Sequence, residues 1–196
     1  MEASTASAKK KTSLARAVFS GSLGNMLEWF DYGLYGYFAT IISRDFFVSD
    51  DPIVGLLLSF LVFGTGFLVR PIGGILIGMY ADKHGRIKAL TLTILCMGVC
   101  TFCMGLLPTY SQVGIVAPIL LTVLRLLQGL ATGGEFGSSL TFIAEYGTPN
   151  NRAFLVSWQP FSVGCGLLLG SAAGLLVTTI LPEAALYDWG WRVPFA

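Results

Sequence analysis

Five ionisable side chains stand inside long apolar stretches of this 196-residue chain: Glu28, Asp31, Arg70, Glu135 and Arg125. Charge in an apolar layer is costly unless it is paired or faces a cavity, so such residues mark sites. Glu28 and Asp31 are three apart, which puts them one helical turn from each other on nearly the same face. Carboxylates of this kind can load and release a proton. A neighbouring guanidinium favours the charged form and desolvation favours the neutral one, so moving between wet and dry surroundings shifts the balance. Arginine also binds carboxylates through two parallel hydrogen bonds, so Arg70 and Arg125 would suit a carboxylate, unless Glu28 and Asp31 consume both, which leaves the charge of a substrate open.

The elements that must hold these residues are hydrophobic helices. The chain is 54% hydrophobic and 12% charged, whereas soluble domains carry about 25% charged residues. A basic tail, residues 1–17, precedes a helical bundle over residues 18–196. Five apolar stretches are long enough to span a bilayer, at about 18–42, 53–80, 89–107, 113–146 and 153–181, and a sixth begins at 193. Polar turns separate them, and Pro108 and Pro182 stop the third and fifth. The first stretch holds Glu28 and Asp31 and leads into no small-residue cleavage site, so it reads as a retained span rather than a signal peptide.

Positive charge orients the bundle. Lys9, Lys10, Lys11, Arg16, Lys83, Arg86, Lys88 and Arg152 fall on one side, against Arg44 and Arg192 on the other. The richer side is expected to be the cytoplasm, with the N-terminus inside. At about 1.5 Å per residue, Glu28, Arg70 and Arg125 all fall near the midplane. Two acids and two bases thus share one layer, while Glu135 lies nearer the cytoplasm and is the weaker candidate for proton binding. Glycines four apart (Gly74 and Gly78; Gly129 and Gly133; Gly166, Gly170 and Gly174) read as close helix packing.

Other chemistries find little support. A net charge of +1 leaves no nucleic-acid footprint. Cys96, Cys100 and Cys103 share a helix face without a histidine or carboxylate, so no metal site is expected. The single histidine, His84, lies in a loop, and no nucleophile and base stand together, so the chain does not read as an enzyme.

Six segments resemble a known superfamily or one of its branches. Residues 78–86, G-M-Y-A-D-K-H-G-R, are similar to the major facilitator signature G-x-x-x-D-R/K-x-G-R between spans two and three. Residues 125–129, R-L-L-Q-G, resemble its R-x-x-Q-G pattern in span four. Residues 24–36, G-N-M-L-E-W-F-D-Y-G-L-Y-G, look like the first span of the metabolite:proton symporter branch, which includes permeases for proline and betaine, shikimate, citrate and α-ketoglutarate. R-P-I-G-G from Arg70 and G-G-E-F-G from Gly133 resemble the same branch, as does G-W-R-V-P-F from Gly190.

The resemblance implies an all-α integral membrane fold, the N-terminal six-helix half of a twelve-span transporter, with five complete spans and the start of a sixth. It implies proton-coupled symport of a small polar metabolite across the cytoplasmic membrane, with no cofactor beyond the proton gradient. Glu28, Asp31, Arg70, Arg125, Gln128 and Glu135 would form the substrate and proton site. Gly78, Asp82, Lys83, Gly85, Arg86, Glu145 and Arg152 would hold a cytoplasmic gate, with Arg86 bridging to Glu145. The partners implied are the substrate, protons, membrane lipid and a C-terminal half that completes the cavity. The alternative is a truncated half or membrane subunit that inserts and transports nothing alone.

Overall fold

The computed structural model describes residues 14–196. The tail lysines Lys9, Lys10 and Lys11 lie outside the described residues, as do the side chains of Arg16, Arg86 and Glu145.

The helices are α1 (Leu14–Tyr37), α2 (Ala39–Phe46), α3 (Pro52–His84), α4 (Arg86–Leu106), α5 (Tyr110–Val113), α6 (Val116–Tyr146), α7 (Arg152–Val156), α8 (Trp158–Ile180) and α9 (Glu183–Asp188). A 3-10 helix, Gly190–Phe195, follows. The single stretch expected at 18–42 is therefore two helices, although Phe38 N–H to Leu34 O and Ile42 N–H to Phe38 O, both 2.9 Å, carry the hydrogen bonding across the joint. The stretch expected at 113–146 is divided at Gly114, whose φ of +62° a helix does not accept. Where a sixth span was expected to begin, at 193, the backbone is the 3-10 turn.

Local sequence sets the ends. Asp51 accepts the Ile53 amide at 2.8 Å, and Pro52 opens α3 at the position where a missing N–H costs nothing. Gly85 closes α3 and starts α4 within one residue, at φ +91°, a conformation open to glycine. Its amide reaches Ala81 O at 2.8 Å.

Among the described residues, four helical stretches are long and apolar enough to cross a membrane: Pro52–His84, Ile87–Leu106, Val116–Thr141 and Arg152–Ile180. α1 is not among them, and it carries Asn25, Glu28 and Asp31 along its length. The packing is inverted relative to a soluble bundle. α3 exposes Leu57, Leu61, Leu68, Ile72 and Ile75 and buries Gly55, Ser59, Gly66 and Gly73. Lipid tails are as apolar as leucine, so only small residues and polar bonds favour helix contact over lipid contact.

Two close pairs organise the bundle, α3 against α6 and α1 against α8, and α6 joins them through α1 and α4. In the first, Gly66 and Gly73 meet the α6 backbone at Arg125 and Leu130, and Gly129 and Gly133 meet the α3 backbone at Gly66 and Arg70. In the second, Gly166 and Gly170 meet the α1 backbone at Met26 and Phe30, and Gly174 faces the Tyr37 ring. Gly78 departs from the expected packing role: a side chain there would project into open space.

The largest apolar cluster sits at the α2 end. Leu34, Phe38, Ile42, Phe46, Leu121, Trp191 and Phe195 pack together above the buried charges. Arg192 ties the 3-10 helix to α4 by donating to Gly105 O at 3.0 Å and Leu107 O at 2.5 Å, carbonyls that the end of α4 leaves open. Burial lowers the Arg192 pKa from its ordinary value, while Asp45 and Asp188 act the other way.

Candidate functional site

Two stripes of α1 carry the site. Glu28 and Tyr32 are four residues apart and share one face; Asp31 and Tyr35 repeat the arrangement on the adjoining face. Each stripe meets one arginine.

Arg70 of α3 donates through Nη2 to Glu28 Oε1 and to the Tyr32 hydroxyl. Its guanidinium lies 4.3 Å from the Phe67 ring centroid. Glu28 is buried, whereas the Arg70 side chain is 27% exposed. Tyr32 packs edge-on against Trp29 at 5.5 Å and Phe63 at 5.0 Å, so an aromatic wall flanks this arginine.

Arg125 of α6 donates through Nη1 to Asp31 Oδ2 at 2.5 Å and to Gln128 Oε1 at 2.9 Å. Gln128 Nε2 donates to Thr101 Oγ1 at 2.9 Å, and Thr101 returns its hydroxyl proton to Asp31 Oδ1 at 3.2 Å. Asp31, Arg125, Gln128 and Thr101 thus close a ring across α1, α6 and α4. The R-x-x-Q spacing is the reason it closes, since residues three apart are neighbours on a helix. The guanidinium lies 4.1 Å from the Tyr35 centroid, and Tyr35 donates to Ser59 O at 2.9 Å. Arg125 Nε and Nη2 and Arg70 Nε find no partner among the described residues, so the cluster keeps donors in reserve.

Glu135 behaves differently from the other two acids. It is 1% exposed, and neither carboxyl oxygen has a hydrogen-bond partner among the described residues. Its carboxyl occupies the space beside Gly24 of α1, next to Ile94 of α4. A separate polar group links α1 to α8 and α6: Asn25 Nδ2 donates to Gln159 O at 3.1 Å and Ser162 Oγ at 2.7 Å, and Gln159 Nε2 donates to Ser139 Oγ at 2.8 Å.

The structure therefore joins Arg70 to Glu28 and joins Asp31, Arg125 and Gln128 into the ring. Tyr32, Tyr35, Thr101 and Asn25 were not foreseen. The i, i+4 repeat of acid and tyrosine along α1 was the available signal for the first two. At the Lys83 end, Asp82, Lys83, Gly85 and Arg152 are exposed. The expected link from Arg86 to Glu145 lies outside the described side chains. A cleft of about 410 Å³ at the α2 end, lined by Arg44, Asp45, Tyr110, Tyr187 and Arg192, is distinct from the buried charges.

A bundle with lipid-compatible outer faces and paired charges in its interior defines a polytopic membrane protein. Residues 17–196 match the family described as "Sugar (and other) transporter", and the chain belongs to that family. It is 44% identical over 182 residues to the proline/betaine transporter of Escherichia coli K12, covering 93% of this chain and 36% of that protein. It is 41% identical over 179 residues to the citrate-proton symporter of Klebsiella pneumoniae, covering 91% and 40%. With the shikimate transporter of Escherichia coli K12 the identity is 39% over 181 residues, covering 92% and 41%. The fold is that of a crystal structure of a double-tryptophan XylE mutant, with a TM-score of 0.79 at 18% identity over 93% of this chain and 41% of that one. The chain spans about two fifths of the length of these relatives, as 36–41% of each is covered. It has the fold of the N-terminal half of a major facilitator transporter, and its family and relatives are transporters rather than enzymes.

Proposed function

We propose that this chain is the N-terminal half of a proton-coupled symporter for a small organic acid or zwitterion, acting in the cytoplasmic membrane with the N-terminus inside. The observation that carries this reading is the closed ring of Asp31, Arg125, Gln128 and Thr101, in which a buried carboxylate has one guanidinium as its counter-charge. A proton on Asp31 would cancel the attraction that holds Arg125 and release its guanidinium, while loss of that proton would restore the pair. Protonation is thereby tied to the rearrangement of three helices. Arg70, part-exposed beside aromatic rings, supplies a binding group for a substrate carboxylate. A substrate that draws Arg70 away would leave Glu28 in need of a proton, which is the sense of coupling a symporter requires.

Asp82, Lys83, Gly85, Arg86, Glu145 and Arg152, with Gly78, form the inner gate in this reading. α1 spans the membrane beside the four apolar stretches, and a second half of similar size completes the cavity. No cofactor beyond the proton gradient enters the cycle. The test is uptake into vesicles by the full-length transporter carrying this sequence, using proline, betaine, citrate and shikimate with and without an imposed pH gradient. Gradient-dependent accumulation of one of them supports symport. Uptake indifferent to the gradient contradicts it.

The alternative is a half that inserts and moves nothing alone. Expression of residues 1–196 alone decides it by the same assay.

A further inference from the structure

The described interior of the bundle holds three acids, Glu28, Asp31 and Glu135, against two arginines, Arg70 and Arg125. Asp31 has Arg125, and Glu28 has Arg70. Glu135 has neither, yet it is as buried as the paired acids. An unpaired carboxylate in such a place costs far more than a neutral carboxylic acid.

We propose that Glu135 holds a proton and exchanges it with Glu28 across their shared neighbour Arg70, with Gly24 as the positioning residue that admits the Glu135 carboxyl. The inference rests on the proton-coupled reading of the site and extends it by one station toward the Lys83 end of the bundle.

Three observations bear on it. First, the carboxyl lies where a Gly24 side chain would be, and Gly24 is four residues, one turn, before Glu28 on the same stripe of α1. Second, Gly133, two residues before Glu135 on α6, packs on the α3 backbone at Arg70, whose guanidinium holds Glu28 of α1, while α4 presents Ile94. Third, Arg70 Nε has no partner among the described residues, so the guanidinium has a free donor edge for a second carboxylate.

The exchange balances without a further reactant. The O–H bond of the Glu135 carboxylic acid breaks and an O–H bond forms on the Glu28 carboxylate. Arg70 keeps its charge and transfers its hydrogen bonds from Glu28 to Glu135. One proton is present before and after, and the charges of the two carboxyls and one guanidinium sum to zero throughout. Gly24 and Glu28 are one helical turn apart on α1, a rise of about 6 Å, and a water or a swing of the Arg70 side chain bridges the two carboxyls.

The test uses the full-length transporter in proteoliposomes with radiolabelled proline, betaine, citrate and shikimate. Glu135→Gln keeps the shape and removes the titration. It should lose the roughly tenfold accumulation that a one-unit pH gradient sustains for one proton per substrate, yet retain counterflow at equal pH. Glu135→Asp should restore part of the accumulation. Wild-type accumulation in Glu135→Gln overturns the inference while leaving proton coupling through Asp31 and Arg125 intact; a wild type indifferent to the gradient is the separate failure of the symport reading. A second arm needs no transport and no variant. A hydrophobic carbodiimide attacks protonated carboxyls, so peptide mass spectrometry of the wild-type protein should find the adduct on Glu135 at neutral pH and less of it as pH rises. Absence of that adduct under conditions that label Glu28 or Asp31 overturns the inference too.

Discussion

Asp31 and Arg125 meet at 2.5 Å with only 2% of either side chain exposed, although 94 residues separate them in the chain. A pair so fully desolvated depends on its geometry, because removing one partner strands the other charge, at a cost of about 3–5 kcal/mol. The ring with Gln128 and Thr101 satisfies both Asp31 oxygens and shares one Arg125 nitrogen between two acceptors. It is the relationship on which the proposed coupling turns.

Lysine should not substitute for Arg125. The ring and the stacking on Tyr35 both use the planar guanidinium, whose fork an ammonium lacks. Arg125→Lys is expected to lose most gradient-driven uptake, close to the loss in Arg125→Ala, while reaching the membrane in normal amount. Uptake near wild type in Arg125→Lys would mean that only the charge matters.

Helix packing gives a prediction independent of transport. A side chain at Gly133 would run into the α3 backbone at Arg70, so Gly133→Val must push α3 and α6 apart. Overpacking of this kind costs about 1–3 kcal/mol. The variant should melt at lower temperature in detergent than Gly78→Val, whose site opens into free space. Equal melting of the two would contradict the packing described.

The gate and the topology can be tested together. Cysteines placed between Lys83 and Lys88 should react with impermeant reagents only from the cytoplasmic side, and one at Asp50 only from outside. On that topology, Asp82→Asn should cut transport and leave insertion unchanged. Reversed labelling would overturn the orientation, and full transport by Asp82→Asn would reduce the loop to a topological signal.

Arg192 ties the 3-10 turn to the end of α4 through Gly105 and Leu107 carbonyls. Arg192→Gln keeps some donor capacity but loses charge and reach. The expected result is a melting temperature lowered by a few degrees, with proton coupling unchanged. A variant that melts as wild type would show that the contact is idle.

Much of this architecture could be read from the order of residues, because its signals are local. Apolar run length marks the helices, and the spacing of Gly129 and Gly133 marks a close helix face. Depth along the helices brought Glu28, Arg70 and Arg125 to one layer, since rise per residue is nearly constant. Which acid takes which arginine depends on helix rotation and on neighbours from α4, and no single segment encodes that. Thr101 lies in an otherwise apolar stretch, and only the approach of α4 to α1 and α6 gives its hydroxyl a role. Depth alone ranks Glu135 below Glu28 and Asp31. Its importance in the proposed site comes from Gly24, a residue without a side chain that opens room for a carboxyl on the facing helix. The break at Gly114 escapes a reading by run length because Val113 and Ile115 flank it, and run length does not register a positive φ.

The most direct test of the central claim is proton movement itself. Full-length protein in proteoliposomes carrying an internal pH indicator is given whichever of proline, betaine, citrate and shikimate it transports, under conditions where no pH gradient is imposed. The account requires that substrate entry carry protons in and acidify the lumen, and that Asp31→Asn let substrate equilibrate without moving protons. Acidification by Asp31→Asn at the wild-type rate and stoichiometry would contradict it.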